Sequence, residues 1–136
     1  MKKLILSLAI ASASLLSAQD LKLEVEISGF KNDKGFALVG LYNTKESFLK
    51  TNIKSSKTVV KNKKTYAVFT NLLQGEYAVM MYHDENANGK MDANFVGIPK
   101  EGYAASNGAT GFMGPPKYDD AKFTVTSDKK IAMRIN

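Results

Sequence analysis

Apolar and polar residues alternate strictly in one segment of this chain. From residue 21 to 27 the sequence Leu-Lys-Leu-Glu-Val-Glu-Ile places every apolar side chain at an odd position, and near the C-terminus Ile131, Met133 and Ile135 form a second segment with large apolar residues at every second position. Successive side chains of a β-strand point to opposite faces, so each segment is predicted to be a strand with one buried face.

Turn-forming residues divide the intervening sequence into further short β segments. Lys31 to Gly35 and Asn62 to Lys64 are predicted to turn two hairpins, and Asn43 to Lys50 suits a single helical turn. Gly75 permits a tight corner that Tyr77 is expected to anchor. Additional strands are predicted at residues 36–42, 57–61, 65–70, 78–83 and 121–125.

This pattern predicts an all-β fold, a seven-stranded antiparallel β-sandwich of the immunoglobulin-like or transthyretin-like kind, with one long ordered loop. A β-barrel is the rival architecture. The sandwich is expected to be a single domain spanning residues 19–136. The sequence contains no cysteine, which excludes disulfides, thiol catalysis and thiolate metal sites.

The N-terminus has the features of a secretory signal peptide over residues 1–18. Lys2 and Lys3 precede an apolar run that is too short to cross a membrane, and small residues follow it. Cleavage is expected after Ala18, with Gln19 as the alternative. We therefore expect an exported protein, periplasmic or secreted, without a transmembrane segment and without the cysteine that a lipid anchor requires.

The charge balance is mildly basic, with 19 Lys and Arg residues against 13 Asp and Glu. Every cation except Arg134 is a lysine, and many lysines occur in predicted turns. Because nucleic-acid binding would call for clustered arginines and aromatic platforms, no nucleic-acid partner is expected. Attraction to acidic polymers or to an anionic membrane surface stays open.

A long segment without regular pattern, residues 84–118, holds six of the ten glycines and all three prolines. Apolar residues are spread through it, so we expect a compact loop folded against the sandwich. Its part from Gly111 to Tyr118 either exposes aromatic groups to a ligand or holds the loop onto the domain.

The start of this loop has the spacing of a calcium-binding loop, with oxygen-bearing side chains at positions one, three, five and nine and Gly89 at position six. Position twelve is Phe95, where such loops carry a bidentate glutamate, which predicts weakened affinity. The same Asp and Asn residues also suit metal-free Asx turns. The predicted calcium ligands are Asp84, Asn86, Asn88, the carbonyl of Lys90, and Asp92.

His83 is the only histidine and directly precedes this loop. A lone histidine at a strand end is expected to be a hydrogen-bonded structural residue, so no catalytic residue is predicted. The alternative is a metal-dependent hydrolase centred on His83, Asp84 and Asp92.

Several sequence blocks of the loop are distinctive, namely residues 83–86, 88–92, 94–103, 106–107 and 112–116. These blocks resemble an exported bacterial family catalogued as domain of unknown function 2141, and the likeness covers essentially the whole mature chain. The resemblance implies an exported β-sandwich and no activity. We therefore expect a non-catalytic protein that presents loop 84–118 to a protein or glycan partner; a structural envelope component is a further alternative.

Overall fold

A computed structural model describes residues 20–89, 102–112 and 114–135. These residues form an all-β structure of two sheets, with strands in the order β4-β1-β8 in one sheet and β3-β2-β5-β6 in the other, where β7 also pairs with β5. No helix of the described segments is long and apolar enough to cross a membrane. The strands are β1 (Leu21–Ser28), β2 (Phe36–Tyr42), β3 (Lys54–Val59), β4 (Lys64–Leu72), β5 (Gly75–Asp84), β6 (Tyr103–Ala105), β7 (Phe123–Val125) and β8 (Lys129–Arg134).

Both sheets contribute to one apolar core. In β1 the side chains of Leu23, Val25 and Ile27 are completely buried, while the intervening residues face outward, as the alternation predicts. Residues of the second sheet, such as Val39 and Met81, belong to the same cluster. The apolar face of β1 is therefore covered by the other sheet.

The β1–β8 pair differs from the antiparallel arrangement that we predicted. β8 runs parallel to β1, with Val25 opposite Ile131 and Ile27 opposite Met133. The preceding strand, β7, pairs with β5 in the other sheet, so the chain crosses between sheets before it reaches β1. Alternation shows which face of β8 is buried but not which strand lies beside it.

The described residues contain eight strands, one more than predicted. The additional strand is β6, which has only three residues and lies inside the predicted long loop. Such a short segment shows no periodicity in the sequence. Two short helical elements also occur in this loop, a 3₁₀ turn at Ser106–Gly108 and helix α1 at Tyr118–Ala121.

The predicted corner at Tyr77 is present, whereas the predicted helical turn at residues 43–50 is not a regular helix. The Tyr77 hydroxyl donates a 2.7 Å hydrogen bond to the Leu73 carbonyl, which confirms that Tyr77 anchors the corner between β4 and β5. The predicted helical turn at residues 43–50 is a series of turns without a helix. It holds one helix-like bond, from Thr51 N to Ser47 O at 2.9 Å, and Leu49 reverses the backbone with a φ of 62°.

A second apolar cluster covers the other face of the five-stranded sheet. Phe48 packs edge-to-face against Tyr42 and Tyr118, with ring centroids 5.2 and 5.7 Å away. Burial, together with the nearby Glu76 carboxylate, raises the pKa of Tyr118 to about 12. The buried members of the cluster are Tyr42, Phe48, Ala78, Met80, Ala105, Tyr118 and Ala121.

Ser106 completes one edge of β5. β6 pairs with residues 80–82 of β5 and β7 with residues 75–77, which leaves Ala78 and Val79 between them. The Ser106 hydroxyl accepts a 2.9 Å hydrogen bond from the Val79 amide and donates a 2.6 Å bond to the Ala121 carbonyl. The buried Ser106 hydroxyl therefore takes the place of a neighbouring strand as the hydrogen-bond partner of Val79.

We predict that Ser106→Ala lowers the free energy of unfolding by about 1–3 kcal/mol, because it leaves the buried Val79 amide and Ala121 carbonyl without this partner. Urea unfolding measures the change. The control is Ser55→Ala, at an exposed position of β3, which should change stability by less than about 0.5 kcal/mol. Equal effects of the two substitutions would contradict the assignment.

Candidate functional site

The predicted site residues lie where β5 ends, next to the β1–β2 turn and the start of β6. Asp84 is the last residue of β5 and is opposite Phe36, the first residue of β2. The backbone N–H of His83 donates a 2.7 Å hydrogen bond to the Gly102 carbonyl, just before β6. The site is therefore held by backbone pairing on both sides.

The carboxylate of Asp84 closes a tight turn. Its Oδ2 accepts a 2.7 Å hydrogen bond from the Gly89 amide, and its Oδ1 accepts a 3.2 Å bond from the Asn88 amide. The residue is only 1% exposed. Two backbone donors offset the cost of removing a carboxylate from water, so this buried acid is structurally satisfied.

Three of the five predicted calcium ligands lie in this turn. The Asn86 Oδ1 accepts a 3.3 Å hydrogen bond from the Asn88 amide, and the left-handed backbone of Ala87 and Gly89, with φ of 55° and 76°, curls the chain around Asp84. Asn86 thus forms one of the predicted Asx turns, whereas Asp84 bonds amides four and five residues further along. Lys90 and Asp92 lie outside the described residues.

The described segments contain no group of three or more His, Cys, Asp or Glu side chains placed to hold a metal ion. The predicted calcium set depends instead on one described carboxylate, on the amide oxygens of Asn86 and Asn88, and on ligands beyond Gly89. Oxygen ligands of this kind suit calcium, which accepts carboxylate, amide and carbonyl oxygens together.

His83 is buried and tied to the β1–β2 turn. Its Nε2 lies 2.5 Å from the Lys34 carbonyl oxygen, which can only accept, so Nε2 carries the proton of this bond. The ring packs edge-on against Phe30 at 5.0 Å, and Nδ1 is 3.8 Å from a Glu85 carboxylate oxygen. With 1% exposure, His83 connects β5 to the turn as a structural residue would.

Gly35 has a role that sequence reasoning missed. The residue was recognised as part of a turn, and its φ of +62° fits that role. In the fold it also lies directly against Asp84, since a Cβ atom at this position would be 1.8 Å from the Asp84 carbonyl oxygen. The glycine therefore allows the β1–β2 turn to contact the backbone of the candidate site.

The later part of the loop has one aromatic residue packed into the domain and one exposed to solvent. Tyr118 is 5% exposed and joins the second apolar cluster, whereas Phe112 is 94% exposed. The turn beside Phe112 is tight, because a Cβ atom on Gly111 would lie 1.7 Å from the Gly114 carbonyl oxygen. Residues 111–118 were predicted either to hold the loop onto the domain or to expose aromatic groups. Tyr118 holds the loop onto the domain, and Phe112 is exposed.

The comparison with known proteins places the chain in a family. Residues 25–133 match the family DUF2141, described as an uncharacterized protein conserved in bacteria, and the chain belongs to that family. This confirms the resemblance seen in the loop blocks. No curated protein and no solved structure matches the chain.

We predict that Gly35→Ala destabilises the protein by about 2–5 kcal/mol, because the methyl group meets the Asp84 carbonyl and the left-handed backbone disfavours a side chain. Gly108→Ala is the control, since Gly108 has a φ of +63° but no atom within 4 Å of the added carbon, and should cost about 1 kcal/mol. Thermal unfolding compares the two. Similar losses would show that close approach to Asp84 is unimportant.

Proposed function

We propose that this protein is an exported, non-catalytic β-sandwich module, immunoglobulin-like or transthyretin-like in topology. In this proposal it presents loop 84–118 to a protein or glycan partner, and calcium stabilises the loop. The observation that carries the proposal is the turn closed by the Asp84 carboxylate, which brings Asn86 and Asn88 around the end of β5. Export is inferred from the N-terminal segment alone.

The calcium part rests on agreement between spacing and turn geometry. The turn arranges positions one, three and five of the predicted ion loop within six residues, and its amide–carboxylate bonds fix their backbone. Lys90 and Asp92 complete the proposed ligand set on the sequence spacing. Asp84 and Asp92 are its only carboxylates, so the proposed affinity is modest.

The partner-binding part is supported by Phe112. Exposing a phenylalanine to water is unfavourable, and this side chain is 94% exposed on a loop whose other end is anchored by the buried Tyr118. Aromatic residues on rigidly anchored loops are typical contacts for proteins and glycans. Phe112 is thus the residue proposed to contact the partner first.

The non-catalytic part is supported by the surroundings of His83. Its Nε2 is used in the bond to Lys34 and the side chain is almost completely buried, so a substrate has little access to the ring. A general base needs to reach the proton that it abstracts. The hydrolase alternative centred on His83, Asp84 and Asp92 gains no support from this geometry.

For the ion, we predict that calcium raises the thermal unfolding temperature and releases or absorbs heat in calorimetric titration. At a free concentration 100 times the dissociation constant the stabilisation should be about 2.7 kcal/mol. Asp92→Asn should abolish the calcium effect without weakening the bonds that close the Asp84 turn. Asp120→Asn, at an exposed position of α1, removes the same charge and serves as the control.

The calcium proposal fails if titration gives no heat and unfolding is identical with calcium and with a chelator. It also fails if Asp120→Asn and Asp92→Asn change the calcium response equally, since that would point to general charge effects. A magnesium titration distinguishes a calcium-selective loop from a diffuse cation effect, because magnesium prefers to keep several waters.

For the partner, we predict that Phe112→Ser eliminates at least one component captured from bacterial envelope extracts by the immobilised protein, while its unfolding temperature is unchanged. Leu73→Ser is the matched control, since Leu73 is 59% exposed but belongs to the β4–β5 corner and not to loop 84–118. Mass spectrometry of the captured material compares the variants. Identical capture by all three proteins would refute the role of Phe112.

A further inference from the structure

Five exposed lysines lie at one end of the two sheets. The carboxylate of Asp33, in the β1–β2 turn, accepts hydrogen bonds of 2.9 and 2.7 Å from the amides of Asn62 and Lys63 in the β3–β4 turn. These bonds join the two turns into one surface, which we term the lysine end. It consists of Lys31, Lys34, Lys57, Lys61 and Lys63.

The lysine end carries more lysines than carboxylates. Among the described residues none of its five lysines forms a salt bridge, and both oxygens of Asp33 are engaged by backbone amides. By contrast, Lys130 on the outer face of the three-stranded sheet lies 3.3 Å from a Glu24 oxygen. Asp33, Asp84 and Glu85 place three carboxylates at this end against its five lysines, so the end has a net positive charge that can attract an anionic partner.

Lys63 occupies a backbone position that disfavours it. Asn62 and Lys63 both have left-handed backbones, with φ of 54° and 58°, in a two-residue hairpin turn whose second position favours glycine. Lysine therefore occupies a position where glycine would be less strained. Strained backbone held in place by its surroundings is characteristic of functional surfaces, and here the strain keeps a cation at the tip of the turn.

Apolar groups lie directly beside these charges. A surface depression of about 840 Å³ lies between β3 and β4, and its lining includes Lys61, Val59 and Tyr66. Val59 is 67% exposed and Tyr66 is 61% exposed. Lysines next to exposed aliphatic and aromatic side chains suit the boundary between lipid headgroups and acyl chains, where tyrosine places its ring in the apolar layer and its hydroxyl in water.

We propose that the lysine end docks onto an anionic phospholipid bilayer. The lysines pair with headgroup phosphates, while Val59 and Tyr66 enter the headgroup layer. Lysine provides a point charge without the paired donors of arginine, which suits attraction to a charged surface better than recognition of one phosphate group. A soluble polyanion or a nucleic acid would use the lysines but would leave Val59 without an apolar environment.

This docking surface is separate from the loop proposed to bind a partner, so the two proposals can fail independently. The test uses purified protein whose N-terminus is checked by mass spectrometry, because an uncleaved apolar segment would itself bind lipid. Sedimentation with vesicles of phosphatidylcholine, with and without one third phosphatidylglycerol, measures the partition coefficient. We expect binding to the anionic vesicles, little binding to the neutral ones, and loss of binding near 1 M salt, where the screening length is about 3 Å.

Paired variants localise the surface. Lys61→Gln with Lys63→Gly should reduce binding to anionic vesicles on the order of 20-fold, at roughly fivefold for each lysine. Stability should not fall, because glycine relieves the strained backbone at position 63. The control combines Lys50→Gln with Lys129→Gln, which removes two charges at the opposite end of β2 and at the start of β8 and should change binding less than threefold.

The substitution Tyr66→Thr distinguishes binding to a bilayer from binding to a soluble anion. It should weaken binding to anionic vesicles several-fold while leaving binding to soluble polyphosphate unchanged. The proposal is overturned if neutral vesicles bind equally well, or if both double variants lose binding to the same extent. It is also overturned if a DNA duplex binds more tightly than the vesicles and depends on the same lysines, which would identify a nucleic-acid surface.

Discussion

Hydrogen bonding along both edges of β5 is the constraint on which the rest of the structure depends. One edge pairs with β2 from Ala78 to Asp84, and the other is served in turn by β7, Ser106 and β6. Since β5 is buried on both faces by the two apolar clusters, each of its backbone groups needs a protein partner. The loop after β5 must therefore return to supply β6 and Ser106, which explains how an unpatterned segment contributes to the sheet.

The same constraint shapes the end of β5. His83 and Asp84 are polar residues in a buried strand, and each is satisfied by a turn rather than by a neighbouring strand. His83 bonds to the Lys34 carbonyl, and Asp84 bonds to the amides of Asn88 and Gly89. Removing either side chain would leave buried backbone groups of that turn without a hydrogen-bond partner. The candidate site is consequently rigid for structural reasons, whether or not an ion binds.

The sequence predicts the features that depend on periodicity and on local turn chemistry. Alternation identifies the buried face of β1, and the hydroxyl of Tyr77 anchors the corner for which it was proposed. Features that depend on long-range pairing escaped prediction. The parallel partner of β8, the three residues of β6 and the contact of Gly35 with Asp84 leave no periodic signal, because each is determined by where distant segments meet. The Asx turn at Asn86 was predictable, since its bond spans only two residues.

The Asp84 turn and the lysine end are linked through the β1–β2 turn. Gly35 lies against the Asp84 backbone, and Asp33, two residues earlier, binds the β3–β4 turn. A calcium ion held at Asp84 would add positive charge to the same end of the molecule as the lysine end. Surface charges influence one another over a screening length of about 8 Å at physiological salt. Calcium would then favour an anionic surface and, by thermodynamic reciprocity, that surface would raise the affinity for calcium. Independent behaviour of the two ligands would mean that the ion site and the lysine end are separated by more than this length.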